Sequence, residues 1–224
     1  MLHDSLTLSA LWGPILLSGV AVTALVISDF TGFRRGRFLC KPIAAGAFIW
    51  LALAAGAMHS TYGQWMLGGL ALCLLGDLFL MPDNERSFLA GLVSFLCGHL
   101  LYAVAFIHLA SNWQGLLLSA IPAIVLLAVV LRWLLPQVDA GMQAPVAVYT
   151  LVITTMLLCA GLVIGHPAAV WVLAGAWGFA LSDLAVARQQ FVQVNRLNPL
   201  WGTPLYFFSQ MLLAASVALA GSSS

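Results

Sequence analysis

The chain has 224 residues, of which 62% are hydrophobic and 7% charged, with a net charge of +1 and a mean hydropathy of +1.04. That composition exceeds what a water-soluble core and surface require and excludes a soluble globular domain, while the near-zero charge offers no basis for a nucleic-acid partner. What remains is an integral membrane protein, all-α, because the apolar runs lack the period-two alternation of an outer-membrane barrel.

Runs of about 20 apolar residues, each long enough to cross a hydrocarbon core, predict eight spans. In chain order they are Leu8–Ser28, Pro42–Met58, Trp65–Met81, Phe88–Leu109, Gly115–Leu135, Pro145–Ile164, Ala168–Ala187 and Trp201–Ala220. No cationic region precedes Leu8–Ser28, so it reads as a retained helix rather than a cleaved signal. The connections are very short, and residues 1–224 read as one transmembrane domain. Arg34, Arg35, Arg37 and Lys41 follow span one, Arg86 follows span three, Arg132 ends span five, and Arg188 and Arg196 follow span seven. All eight cations therefore fall on odd connections, which the positive-inside rule places in the cytoplasm, leaving both termini, and Ser224 with them, on the opposite side. In a bacterium this is the cytoplasmic (inner) membrane.

Cys40, Cys73, Cys97 and Cys159 have no C-x-x-C spacing and read as small buried hydrophobes. His3, His59, His108 and His166 map to the outer face, where scattered interfacial histidines are commoner than a metal site. His99 alone lies well inside a span.

Two aspartates interrupt apolar runs, Asp77 in LCLLGDLFLM and Asp183 in GFALSDLAVA. A carboxylate near mid-bilayer costs roughly 2.5–3.5 kcal/mol even on lenient insertion scales, so one that persists there faces a polar cavity, a partner or a substrate. Asp77 lies five residues before Pro82 and Asp183 five before Arg188, each about 7 Å from the cytoplasmic end at the helical rise. Tyr206, Tyr149 and Lys41 come early in their spans, so the unusual polar residues share the cytoplasmic half and are expected to line one cavity. Phe88, Gly91, Phe95, His99 and Tyr102 advance by three or four residues and form one helical stripe; Tyr206 and Gln210 repeat the arrangement on span eight. Gly68, Gly69, Gly76, Gly175 and Gly178 let spans three and seven approach their neighbours. Asp77 precedes Tyr102 by 25 residues and Asp183 precedes Tyr206 by 23, a weak sign that spans three–four and seven–eight are parallel repeats.

Lys41-Pro42, Gly76-Asp77-x-x-Leu80, Phe88-x-x-Gly91-x-x-x-Phe95-x-x-x-His99-x-x-Tyr102, Ser182-Asp183 and Tyr206-Phe207-x-x-Gln210 together resemble the YhhN family over nearly the whole chain. One departure is Phe207, where many members carry a second tyrosine. The resemblance implies hydrolysis of the vinyl ether of lysoplasmalogens to a fatty aldehyde and glycerophosphocholine or glycerophosphoethanolamine, with a membrane lysophospholipid as the bound partner and no metal or organic cofactor. Such a reaction needs one carboxylic acid to protonate the enol-ether carbon and one carboxylate to stabilise the cation or activate water. Asp77 and Asp183 are the expected pair, since close carboxyls in a poorly solvated site cannot both ionise easily. His99, Tyr102, Tyr149, Ser182, Tyr206 and Gln210 would orient the carboxyls or hold the glycerol hydroxyl and water, and Lys41 at the cytoplasmic rim suits the phosphate. The competing class is a proton- or cation-coupled transporter or lipid-binding protein using the same aspartates, and a third reading is purely structural.

Overall fold

A computed structural model describes residues 2–82, 84–110 and 112–221, with side chains from Ala10 onward; the side chain of His3 and the position of Ser224 fall outside them. Eight α-helices account for nearly all of it: α1 Leu2–Thr31, α2 Arg34–Ala54, α3 Thr61–Phe79, α4 Glu85–His108, α5 Trp113–Leu134, α6 Ala140–Gly161, α7 Ala169–Ala187 and α8 Leu197–Ala220, with no strand among the described residues. Seven of these helices are long and apolar enough to cross a membrane. The exception is α3, whose nineteen residues open on Thr61, Tyr62 and Gln64 and carry Asp77.

Several helices begin before the expected spans. The second was expected at Pro42 but starts at Arg34, so Pro42 lies inside it; the sixth and eighth likewise enclose Pro145 and Pro204. A proline that would end a helix in water is tolerated within the packed bundle, where the freed carbonyl can find another donor, and this is why Pro was a poor marker of helix starts here. Local signals are clearer at other ends. The Ser60, Asn84 and Asn112 side chains accept backbone N–H bonds from Gly63, Ser87 and Gly115 at the starts of α3, α4 and α5. Gly56 adopts φ +88 where α2 turns into α3, a conformation that other residues rarely take.

The pairs α1–α2, α3–α4, α5–α6 and α7–α8 pack as antiparallel hairpins, and α8 lies centrally against α1, α2, α3 and α7, while α5 rests mainly on α6. Small residues bring the hairpins together: a Cβ on Gly76 would stand 2.7 Å from the Phe95 ring and one on Gly175 2.7 Å from Leu213. Hydroxyls bridge helices at the same seams, Ser94 donating to the Leu72 carbonyl, Ser119 to that of Leu157, and Tyr62 meeting Ser216 at 2.6 Å. Outward faces are apolar, with Val20 71%, Ile121 74% and Val170 75% exposed. Large apolar side chains displayed on all sides around a polar interior describe a surface made for lipid rather than water.

Candidate active site

A cavity of about 1120 Å³ is lined by side chains from all eight helices. Its lining takes in Arg37 from the first turn of α2 and Asn84, Asp139, Gln189 and Arg196 from the connections α3–α4, α5–α6 and α7–α8, so it reaches the end of the bundle that carries the basic residues. Asp77, Lys41, Tyr149, Ser182, Asp183 and Tyr206 all line it.

The two aspartates differ in what holds them. The Lys41 ammonium lies 3.1 Å from Asp77 Oδ1, and the Tyr206 hydroxyl donates to Oδ2 at 2.7 Å. Both oxygens are engaged, and only 3% of the Asp77 side chain is exposed. Lys41, expected just before a helix starting at Pro42, is the eighth residue of α2, because the helix starts at Arg34. Its ammonium sits on Asp77 while its side chain, 14% exposed, also lines the cavity. Asp183 has no cation against it among the described residues. The Tyr149 hydroxyl donates to its Oδ2 at 2.9 Å, His99 Nε2 stands 3.5 Å from the same oxygen, and 14% of the side chain faces the cavity.

Behind these groups lies a dry layer. His99, Tyr102 and Gln210 are 0% exposed and lie behind the cavity lining, a position that fits orienting the carboxyls better than holding the glycerol hydroxyl or water. Tyr102 donates to Gln210 Oε1 at 2.6 Å, which fixes the amide orientation and leaves Gln210 Nε2 without a partner. The His99 ring stacks on Phe179 at 4.2 Å and meets Tyr149 edge-on at 5.5 Å. Ser182 reaches the cavity, but its hydroxyl donates to the Phe179 carbonyl at 2.7 Å.

The regular Asp–Tyr spacing along the chain does not translate into Asp–Tyr hydrogen bonds within each spaced pair. Tyr206 bonds Asp77, Tyr149 bonds Asp183, and Tyr102 bonds neither. Phe179 was missed altogether, although it packs on His99, Tyr206, Tyr102 and Phe95. Its signal was its position four residues before Asp183, on the same face of α7. Asn198 was also missed; it is 1% exposed and its amide donates to Gln189 Oε1 and the Gln193 carbonyl, tying the α7–α8 connection across the mouth. The outer histidines take separate roles, His108 stacking on Trp65 and His166 accepting from the Ala168 N–H.

Fold and site together define a multi-pass helical membrane protein with ionisable side chains gathered on an internal cavity. The YhhN family model matches residues 36–217, and the chain belongs to that family. Among curated relatives, it is 34% identical to lysoplasmalogenase TMEM86B of Rattus norvegicus over 79% of this chain and 70% of the relative. It is 30% identical to the Mus musculus protein of the same name over 79% of this chain and 72% of the relative. No solved structure matches the chain with significance.

Proposed function

We propose that the protein is a lysoplasmalogenase: a single membrane domain of eight spans, α3 included, whose basic connections and cavity mouth face the cytoplasm, with both termini opposite. In a bacterial cell it would reside in the inner membrane. The observation that carries this reading is that Asp77 and Asp183, far apart in sequence, line one cavity together with Lys41, Tyr149 and Tyr206.

The chemistry follows from the substrate. A carboxylic acid gives its proton to the vinyl carbon remote from oxygen, leaving an oxocarbenium ion at the carbon that bears it. Water adds to that carbon and surrenders a proton to a carboxylate. The resulting hemiacetal loses its hydroxyl proton and releases the glycerol oxygen, which takes up a proton, so that one water and one vinyl ether become one aldehyde and one alcohol. Carboxyl groups on the cavity can supply and receive every proton in the sequence, and a carboxylate beside the cation can stabilise it. The cavity is large enough for a lysolipid headgroup and part of its chain; the polar mouth suits the former, and Leu126, Val130 and Ile153 suit the latter.

The test is purified protein in detergent given lysoplasmalogen in deuterated water. An enzyme consumes it without a gradient and places deuterium on the aldehyde α-carbon, while the saturated ether analogue binds without turnover. Activity confined to sealed vesicles would instead establish a carrier, and turnover of the saturated ether would eliminate protonation at carbon.

A further inference from the structure

The two carboxyls are not equivalent, and the surrounding hydrogen bonds distinguish their protonation states. Asp77 receives a donor on each oxygen, the Lys41 ammonium on Oδ1 and the Tyr206 hydroxyl on Oδ2. A carboxyl proton on either oxygen would face one of these donors, so this arrangement suits an ionised carboxylate. Around Asp183 the pattern is different. Tyr149 occupies Oδ2, and Oδ1 accepts no hydrogen bond among the described residues. His99 Nδ1 lies 2.7 Å from the Phe95 carbonyl oxygen, an acceptor, so Nδ1 carries the hydrogen. His99 Nε2 makes no hydrogen bond and is buried. A proton on Nε2 would face only Asp183 Oδ2 at 3.5 Å, beyond good hydrogen-bonding distance, so a fully buried imidazolium would be poorly compensated and the site suits the neutral ring. The Nε2 lone pair of that ring then faces Asp183 Oδ2, acceptor against acceptor, and a full negative charge on that oxygen would worsen the contact.

We propose that Asp183 is the catalytic acid, holding its proton on the cavity-facing Oδ1, and that Asp77 is the resident carboxylate. The vinyl carbon takes the Oδ1 proton with its own π electrons, the O–H bond breaks, and the Asp183 carboxylate so formed recovers a proton from the added water. The Asp77 carboxylate, neutralised by Lys41 before substrate arrives, regains stabilising power as positive charge develops at the ether oxygen. The assignment of these steps rests on the vinyl-ether reading, but the location of the proton does not.

Infrared spectra of protein carrying carbon-13 at the aspartate side-chain carboxyl locate that proton without turnover. A protonated-carboxyl C=O stretch, sensitive to deuterium, is expected in the resting protein, lost in Asp183→Asn and retained in Asp77→Asn. Because Asp183→Asn can fail to fold, two further variants carry the same test. Tyr149→Phe removes the donor to that carbonyl oxygen and should raise the band's frequency, and Tyr206→Phe should leave it in place. Loss of the band in Asp77→Asn with survival in Asp183→Asn, a shift with Tyr206→Phe alone, or no such band in the wild type overturns the assignment. A band assigned to Asp183 in a protein that fails to hydrolyse the vinyl ether upholds the assignment and refutes the reaction.

Discussion

The Asp77 and Asp183 sides of the cavity contain the same functional group near the C-terminal ends of two helices, each beside a hairpin partner packed through glycines, yet the groups are treated differently. At Asp77 a lysine and a tyrosine engage both oxygens and exposure falls to 3%; at Asp183 a tyrosine and a neutral-ring contact engage one oxygen and 14% remains open. What separates them comes from elsewhere in the chain: α2 and α8 supply Lys41 and Tyr206, α6 and α4 supply Tyr149 and His99. A carboxyl's chemistry is thus set by the helices packed over it rather than by its own segment.

The largest effect should come from removing either carboxyl. Asp77→Asn and Asp183→Asn keep the side-chain shape, and each should lower lysoplasmalogen hydrolysis by roughly 10²–10⁴-fold, with the double variant little worse because the two act as a unit. Wild-type rates in either one would break the comparison at its root. Next comes Lys41→Met, which leaves Asp77 without its counter-ion and should destabilise the detergent-solubilised protein by about 3 kcal/mol in thermal unfolding. Tyr149→Phe, on the other side, should cost only about 1 kcal/mol. Equal losses would mean that Lys41 and Asp77 do not form the buried pair described.

Packing behind the carboxyls offers a finer test. A methyl on Gly76 meets three atoms of the Phe95 ring at 2.7–2.9 Å, and Phe95 stacks edge-on against Tyr206 at 5.9 Å. Gly76→Ala should therefore cost about 2 kcal/mol and reduce activity through Tyr206. The corresponding methyl on Gly178 crowds one atom, the Ser209 hydroxyl, which can turn aside at the expense of its bond to the Leu205 carbonyl, so Gly178→Ala should cost about 1 kcal/mol and leave Tyr206 and activity less affected. The smallest effect concerns the dry layer: Tyr102→Phe strands Gln210 and should cost about 1 kcal/mol, whereas Tyr102→Phe with Gln210→Leu removes both polar groups and should recover most of it. A double variant worse than the single would give Gln210 a task of its own.

Much of the fold could be read along the chain. Eight helices follow from hydropathy and spacing, which are local properties. The pairing of side chains is not local. Tyr206 sits 129 residues from Asp77 and reaches it only because α8 packs against α3, a fact no spacing contains. Pro42 misled for the complementary reason: its local meaning, a helix start, is overridden by the packed bundle around α2. His99 and Tyr102 fell on the expected stripe, but a stripe gives a direction toward the interior without saying whether it meets a cavity or another ring, and Phe179 decided that outcome.

The Lys41–Asp77 pair also bears on how the chain enters its membrane. For α3 to lie at bilayer depth it must do so although it is the helix not apolar enough to partition alone, and Lys41 imposes a similar burden on α2. Either charge presented singly to hydrocarbon costs roughly 2.5–3.5 kcal/mol. Delivered as a hairpin with the ammonium already 3.1 Å from the carboxylate, they enter as a neutral dipole. The residue that tunes the carboxylate thereby also offsets, within the α2–α3 pair, the charge that each helix would otherwise carry alone.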